Sequence, residues 1–310
     1  MTRNLPSLVT VAVFVLLYIA CAVQFPFMVS TRVAGNLLSD NAFLGVLAVG
    51  MTVVILSGGI DLSVGAVVAF TGVLLAILIE WHGINPLLAF AIALIVGTAY
   101  GALIGAAIHW LQAPPFIVTL AAMFLARGAC FLLTTDSIPV THPLYADLSG
   151  GSGFSAVVML LAFAGGMVML RATRFGATVY ALGGDARAAE LMGVGIGRTT
   201  IRIYAFSGLA AALAGILFSI YTQSAQPLAA VGIELDAIAA VVIGGTLLSG
   251  GYGGLLGSFF GVMILGLIQS YILFTGTLSS WWARIATGVL LFGFIAMQRL
   301  VLLLSPRQTP

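Results

Sequence analysis

Charged residues cut the chain into a few long apolar runs. Residues 4–31, 41–60, 62–79, 81–126, 148–170, 203–233 and 237–283 carry no formal charge. A helix that crosses a bilayer needs roughly 20 mostly apolar residues, because its backbone groups have no water to bond. The stretch 237–283 would run to about 70 Å as one helix, over twice a bilayer core, so the longest gaps must each hold two helices. The pattern predicts ten spans, near 6–25, 41–57, 62–79, 87–108, 116–135, 154–170, 203–222, 236–250, 254–275 and 285–304. The expected fold class is an all-α polytopic integral membrane protein forming one transmembrane domain over 1–310. No small-residue cleavage site follows the first run, so it reads as an uncleaved span.

Composition supports lipid as the solvent. Of 310 residues, 61% are hydrophobic and only 6% charged, with a net charge of +2, where a soluble domain carries about 25% charged residues. This excludes a soluble enzyme, a disordered chain and a nucleic-acid binder. All 11 basic residues are Arg. A phosphate-binding loop needs a Lys, so any ATP that drives this protein must bind another chain. Cys21 and Cys130 lie in apolar runs and read as small core residues. His82, His109 and His142 are scattered without ligand spacing, and no cofactor or metal is expected.

The Arg residues also suggest an orientation. With the N-terminus inside, Arg3, Arg171, Arg174, Arg187, Arg198, Arg202, Arg299 and Arg307 fall on the cytoplasmic side. Arg32 and Arg284 fall outside, and Arg127 lies within a span. An even number of spans then places both termini in the cytoplasm.

Glycine supplies 38 residues, with two GxxxG ladders at Gly97, Gly101, Gly105 and at Gly253, Gly257, Gly261. Such ladders let helix backbones approach closely, either within a bundle or at a sliding or subunit contact. Leu56-Ser57-Gly58-Gly59 recurs as Leu248-Ser249-Gly250-Gly251, an echo compatible with two related halves.

Three segments stand out as candidate functional sites. In Ser57-Gly58-Gly59-Ile60-Asp61-Leu62-Ser63 the paired glycines break a helix beside a carboxylate. This reads as a hinge bordering a translocation path, or as a short turn in which Asp61 caps the amide of Ser63. The only long polar segment, 171–202, has five Arg. Within it, Gly184 and Asp185 open a short helix with Asp185 as N-cap, and Gly193 closes it in the left-handed region. Arg187, Glu190 and Met192 lie on that helix or at its end, and a two-turn helix in water is marginal unless a partner holds it. At the expected outer mouth, Glu234 and Asp236 begin a span, where they suit the helix dipole or an external partner. Gln223, Gln226 and Gln269 are uncharged amides able to line a wet path or to bond neighbouring helices. Ser279 to Arg284, SSWWAR, reads as an interfacial aromatic anchor.

The stretches NAFLGVLAVGMTVVILSGGIDLSVGAVVAFTGV (41–73), YALGGDARAAELMGVGIGRTTIRIY (180–204) and GIELDAIAAVVIGGTLLSGGYGGLLGSFFGV (232–262) resemble the permease subunits of ribose-type ABC sugar importers. The opening of the chain and TGTLSSWW (275–282) are most similar to the galactofuranose-importing members. The resemblance implies a periplasmic sugar-binding protein, a second related permease chain and a cytoplasmic ATPase with two nucleotide sites. It implies that Gly184–Gly193 is the coupling segment that enters a groove on the ATPase. The stretch after Asp147 is shorter than in relatives, so outer-loop contacts do not transfer there.

The leading expectation is an ATP-driven importer permease for a neutral monosaccharide, galactofuranose or else ribose or another sugar, in the bacterial inner membrane. An ion-driven secondary transporter would need poised intramembrane carboxylates, and only Asp61 and Asp236 qualify. An intramembrane enzyme would need a catalytic pair, and no motif surrounds His109 or Asp61.

Overall fold

The computed structural model describes residues 5–149, 153–277, 279 and 281–304. Arg3, Arg307 and much of the shortened stretch after Asp147 lie outside them. The chain runs α1 (Leu5–Gln24), a 3₁₀ turn (Pro26–Val29), α2 (Thr31–Asp40), α3 (Ala42–Leu56), α4 (Val64–Ala76) with a π-helical end (Ile77–Trp81), α5 (Pro86–Leu111) and α6 (Pro115–Leu133). It continues through α7 (Pro143–Ser149), α8 (Phe154–Ala172), α9 (Arg174–Gly184), α10 (Ala186–Leu191), α11 (Ile196–Thr222), α12 (Ile233–Ile243), α13 (Leu255–Thr275) and α14 (Trp281–Leu304).

Among the described residues, six helices are long and apolar enough to cross a membrane: Val64–Trp81, Pro86–Leu111, Pro115–Leu133, Phe154–Ala172, Ile196–Thr222 and Leu255–Thr275. Helices α2 and α3 meet at a 51° bend and make a seventh if taken as one span. The expectation of about ten spans is therefore corrected. The predicted span 236–250 is only the 11-residue α12, about 16 Å long at 1.5 Å per residue. It stops at Gly244 because Gly245 takes φ +87°. The predicted span 41–57 is one arm of the bent pair. The helices at the chain ends, α1 and α14, are not among the six. With six or seven spans, parity no longer fixes both termini on one side.

Helix α3 explains why apolar runs overcount spans. Every residue in it except Phe43 is buried, so its hydrophobicity serves protein packing on all sides and not lipid. Helix α11, the longest among the described residues, packs on α3, α4 and α5. The first glycine ladder makes the closest of these contacts. A Cβ on Gly101 would strike the carbonyl of Tyr204, one on Gly97 would meet Ala212 and Gly208, and one on Gly105 would sit 2.7 Å from the Cα of Ile201. The second ladder packs Gly257 on Gly244 and Gly261 on Ala240, joining α13 to α12. Both ladders are thus occupied inside the chain. A two-residue antiparallel pairing, Ile138–Pro139 with Ser224–Ala225, ties the α6–α7 connection to the end of α11. It is too short to register as a hydrophobic alternation.

Candidate functional site

The two LSGG turns lie against each other. Gly251 N–H donates to the carbonyl of Leu56 at 2.9 Å. A Cβ on Gly250 would lie 2.7 Å from Gly58 N and 3.0 Å from Gly183 Cα, and one on Gly251 would lie 2.9 Å from Gly184 Cα. Gly58, Gly250 and Gly251 all have positive φ, which side chains disfavour. Three backbone segments therefore meet here: the end of α3, the α12–α13 connection, and the glycine pair that leads into α10. Sequence reasoning found the repeat and the GGD separately but not their junction, since nothing local to either says that they touch.

Beyond this junction the chain turns through Asp61. Its Oδ1 accepts from Ser63 N at 3.0 Å and from Ser63 Oγ at 2.6 Å; its Oδ2 accepts from Ser207 Oγ at 2.7 Å. The residue is 1% exposed. A buried carboxylate is tolerable when its lone pairs are bonded in this way. The carbonyl of Ile60, freed by the break, accepts from Thr119 Oγ1 at 3.3 Å and Tyr204 Oη at 3.4 Å. The hydroxyl of Ser57 turns back on the carbonyl of Val54. Asp61 and Ser63 bind the helix break to α11 and line neither cavity described below.

Helix α10 projects from the same junction. Asp185 Oδ1 accepts from Arg187 N at 2.9 Å and Ala188 N at 3.0 Å, and Gly193 closes the turn at φ +84°. Ala189 is fully buried against the body, while Leu191 and Met192 are 91% and 73% exposed. Arg187 and Glu190 are also exposed. Two large apolar side chains at the tip of a charged segment form a contact surface left open by the described residues. Beside α9 lies a second cavity, of about 750 Å³, walled in part by Arg171, Tyr180, Tyr252 and Gly251, Gly253 and Gly254.

At the other end of α11 a cavity of about 370 Å³ opens between α3, α11, α12 and α13. Asn41, Thr222, Ser224, Gln226, Asp236 and Gln269 are its polar lining residues, and Phe43 and Phe218 its aromatic ones. The two rings are 5.2 Å apart at 83°. Gln223 does not join them: it caps α11 at φ +49° and donates to Ser149 Oγ at 2.8 Å. Glu234 lies behind the wall, its Oε1 accepting from Gly232 N at 3.2 Å and its Oε2 packed on Gly65. The guanidinium of Arg127 donates to the carbonyls of Pro227 at 2.6 Å and Ala229 at 2.7 Å, fixing the loop that forms one lip. Arg284 lies over Gly232, 5.8 Å from the Trp281 ring.

Residues 33–295 match the family model described as "Branched-chain amino acid transport system / permease component". The chain belongs to this permease family. It is 57% identical over 317 aligned residues to the inner membrane ABC transporter permease protein YjfF of Escherichia coli K12, covering 99% of this chain and 96% of that one. It is 37% identical to a fructose import permease protein of Bifidobacterium longum, over 97% and 92% of the two chains. It is 40% identical to the ribose import permease protein of E. coli K12, over 83% and 82%. No solved structure matches it. As a transport permease component of the inner membrane, this permease is not an enzyme, and ATP hydrolysis belongs to a separate subunit.

Proposed function

We propose that this permease is one half of the pore of an ABC importer for a neutral monosaccharide. The observation that carries the reading is the junction of the two LSGG turns with the GGD that starts α10. It attaches a partner-sized apolar tip to the break in the membrane bundle. An ATPase that grips α10 through Leu191 and Met192 would move Gly183 and Gly184, and with them the ends of α3 and of the α12–α13 connection. Asp185, Arg187, Glu190 and Gly193 shape that knob. The five Arg of 171–202 put this end in the cytoplasm by the positive-inside rule, and the cavity with Asp236 and Gln269 at the periplasmic face. Gly58, Gly59 and Asp61 form the break that borders the path.

A second, related permease completes the pore, and a periplasmic sugar-binding protein delivers the solute. Relatives named for ribose and fructose import support a sugar as cargo. The pointer to galactofuranose rests on the chain's opening and TGTLSSWW alone, and ribose or another sugar has the better support among relatives. The test is uptake of labelled D-ribose, D-fructose, galactofuranose and L-leucine in cells with and without this gene. Gene-dependent, ATP-dependent uptake of a sugar is the expected result. Uptake of leucine alone would refute the sugar reading.

A further inference from the structure

We infer that the 370 Å³ cavity between α3, α11, α12 and α13 is a binding site for a single neutral sugar ring. The inference rests on the import reading above and adds to it that the permease itself selects the solute. Ligand sites run from about 300 to 1,000 Å³, so this cavity suits one small solute and not an oligosaccharide. Its chemistry has two parts. Asp236, Gln226 and Gln269 end in planar groups with paired acceptors or an acceptor beside a donor, which match neighbouring hydroxyls two at a time; Asn41 spends its amide N–H on the carbonyl of Leu37. Phe43 and Phe218 offer ring surface to the C–H face of a sugar, the apolar body of an otherwise polar molecule.

The charge is equally informative. No Arg or His lines the cavity, and its one ionisable group is the carboxylate of Asp236. A phosphorylated sugar would bring its own anion beside that carboxylate, with no cation in the wall to receive it. The site therefore favours a neutral polyol ring. It also lies at the far end of α11 from α10, about 40 Å away along the 27-residue helix, so occupancy and the ATPase contact are held by one rigid element.

The test uses the whole importer in right-side-out membrane vesicles, with single cysteines read by a membrane-impermeant maleimide. Native Cys21 and Cys130 are buried. Leu228→Cys places a reporter in the cavity wall without removing a polar group, and Asp147→Cys places a control on an exposed helix outside it. D-Ribose, D-fructose and galactofuranose are the probes. For a sugar that the vesicles accumulate, labelling of L228C should slow about fourfold at three times the apparent Kd, as simple occupancy requires, while D147C is unchanged. Asp236→Asn and Gln269→Leu should each raise the KM for uptake about tenfold, the effect of losing one good hydrogen bond to substrate. Accumulation of a sugar with L228C labelling unchanged, or with D147C slowed equally, overturns the site and leaves the import reading intact. Vesicles that accumulate none of the three overturn the import reading and this inference with it.

Discussion

Gly251 donates its amide hydrogen to the carbonyl of Leu56 at 2.9 Å, and this single bond joins the two copies of LSGG. Around it, Gly183 has no room for a methyl group, because a Cβ there would strike that same carbonyl; Gly184, one residue on, has open space. Gly183→Ala should therefore cost about 1–3 kcal/mol as an overpacked contact and lower uptake tenfold or more. Gly184→Ala should leave both near wild type. Thermal unfolding in detergent and initial uptake rates check the pair.

The knob makes a second, separable prediction. Leu191 and Met192 are exposed, so Leu191→Asp should leave the permease folded and inserted while abolishing copurification with the ATPase. Replacing Gly184–Gly193 by a Gly/Ser linker should do the same and abolish uptake. Normal ATP-coupled uptake by the linker variant would refute the coupling role. Asp185→Ala removes the two cap bonds and should cost about 0.5–2 kcal/mol, confined to this short helix.

Asp61 and Ser207 form the third test. Ser207→Ala leaves one oxygen of a buried carboxylate unpaired, at a cost of about 1–3 kcal/mol. Asp61→Asn should cost a similar amount. The double variant should be less unstable than the sum, because both changes remove one interaction. Strict additivity in thermal unfolding would show that the two side chains act independently.

Arg127 holds two carbonyls of the cavity's lip, Pro227 and Ala229. Arg127→Met should destabilise the fold by about 1–3 kcal/mol and raise amide hydrogen exchange in 226–232. Arg127→Lys should recover part of the protection, since an ammonium reaches one carbonyl but lacks the planar fork.

The long helices were legible because each is an apolar run between charges or breakers: Pro86–Leu111 and Pro115–Leu133 begin at prolines and fall within a residue or two of their predicted starts. The overcount had a physical origin. Hydropathy cannot tell a helix wrapped in lipid from one wrapped in protein, and α3 is the second kind. In α12 the glycines at 244–245 end the helix after 11 residues, where composition alone read straight through them. The short helix at 186–191 was legible in detail because its cap and closing glycine are local chemistry. The cavity was only half legible. Gln226, Gln269 and Asp236 stood out as polar residues in apolar surroundings, but Asn41, Phe43 and Phe218 become site residues only when α3 and α11 are packed together.

The most direct test of the whole account is reconstitution in proteoliposomes loaded with ATP, this chain alone against this chain with its ATPase, its second permease and its sugar-binding protein. The account predicts neither hydrolysis nor sugar flux from the chain alone, and flux strictly dependent on ATP from the full set. Sugar movement or ATP turnover by the chain on its own would contradict it.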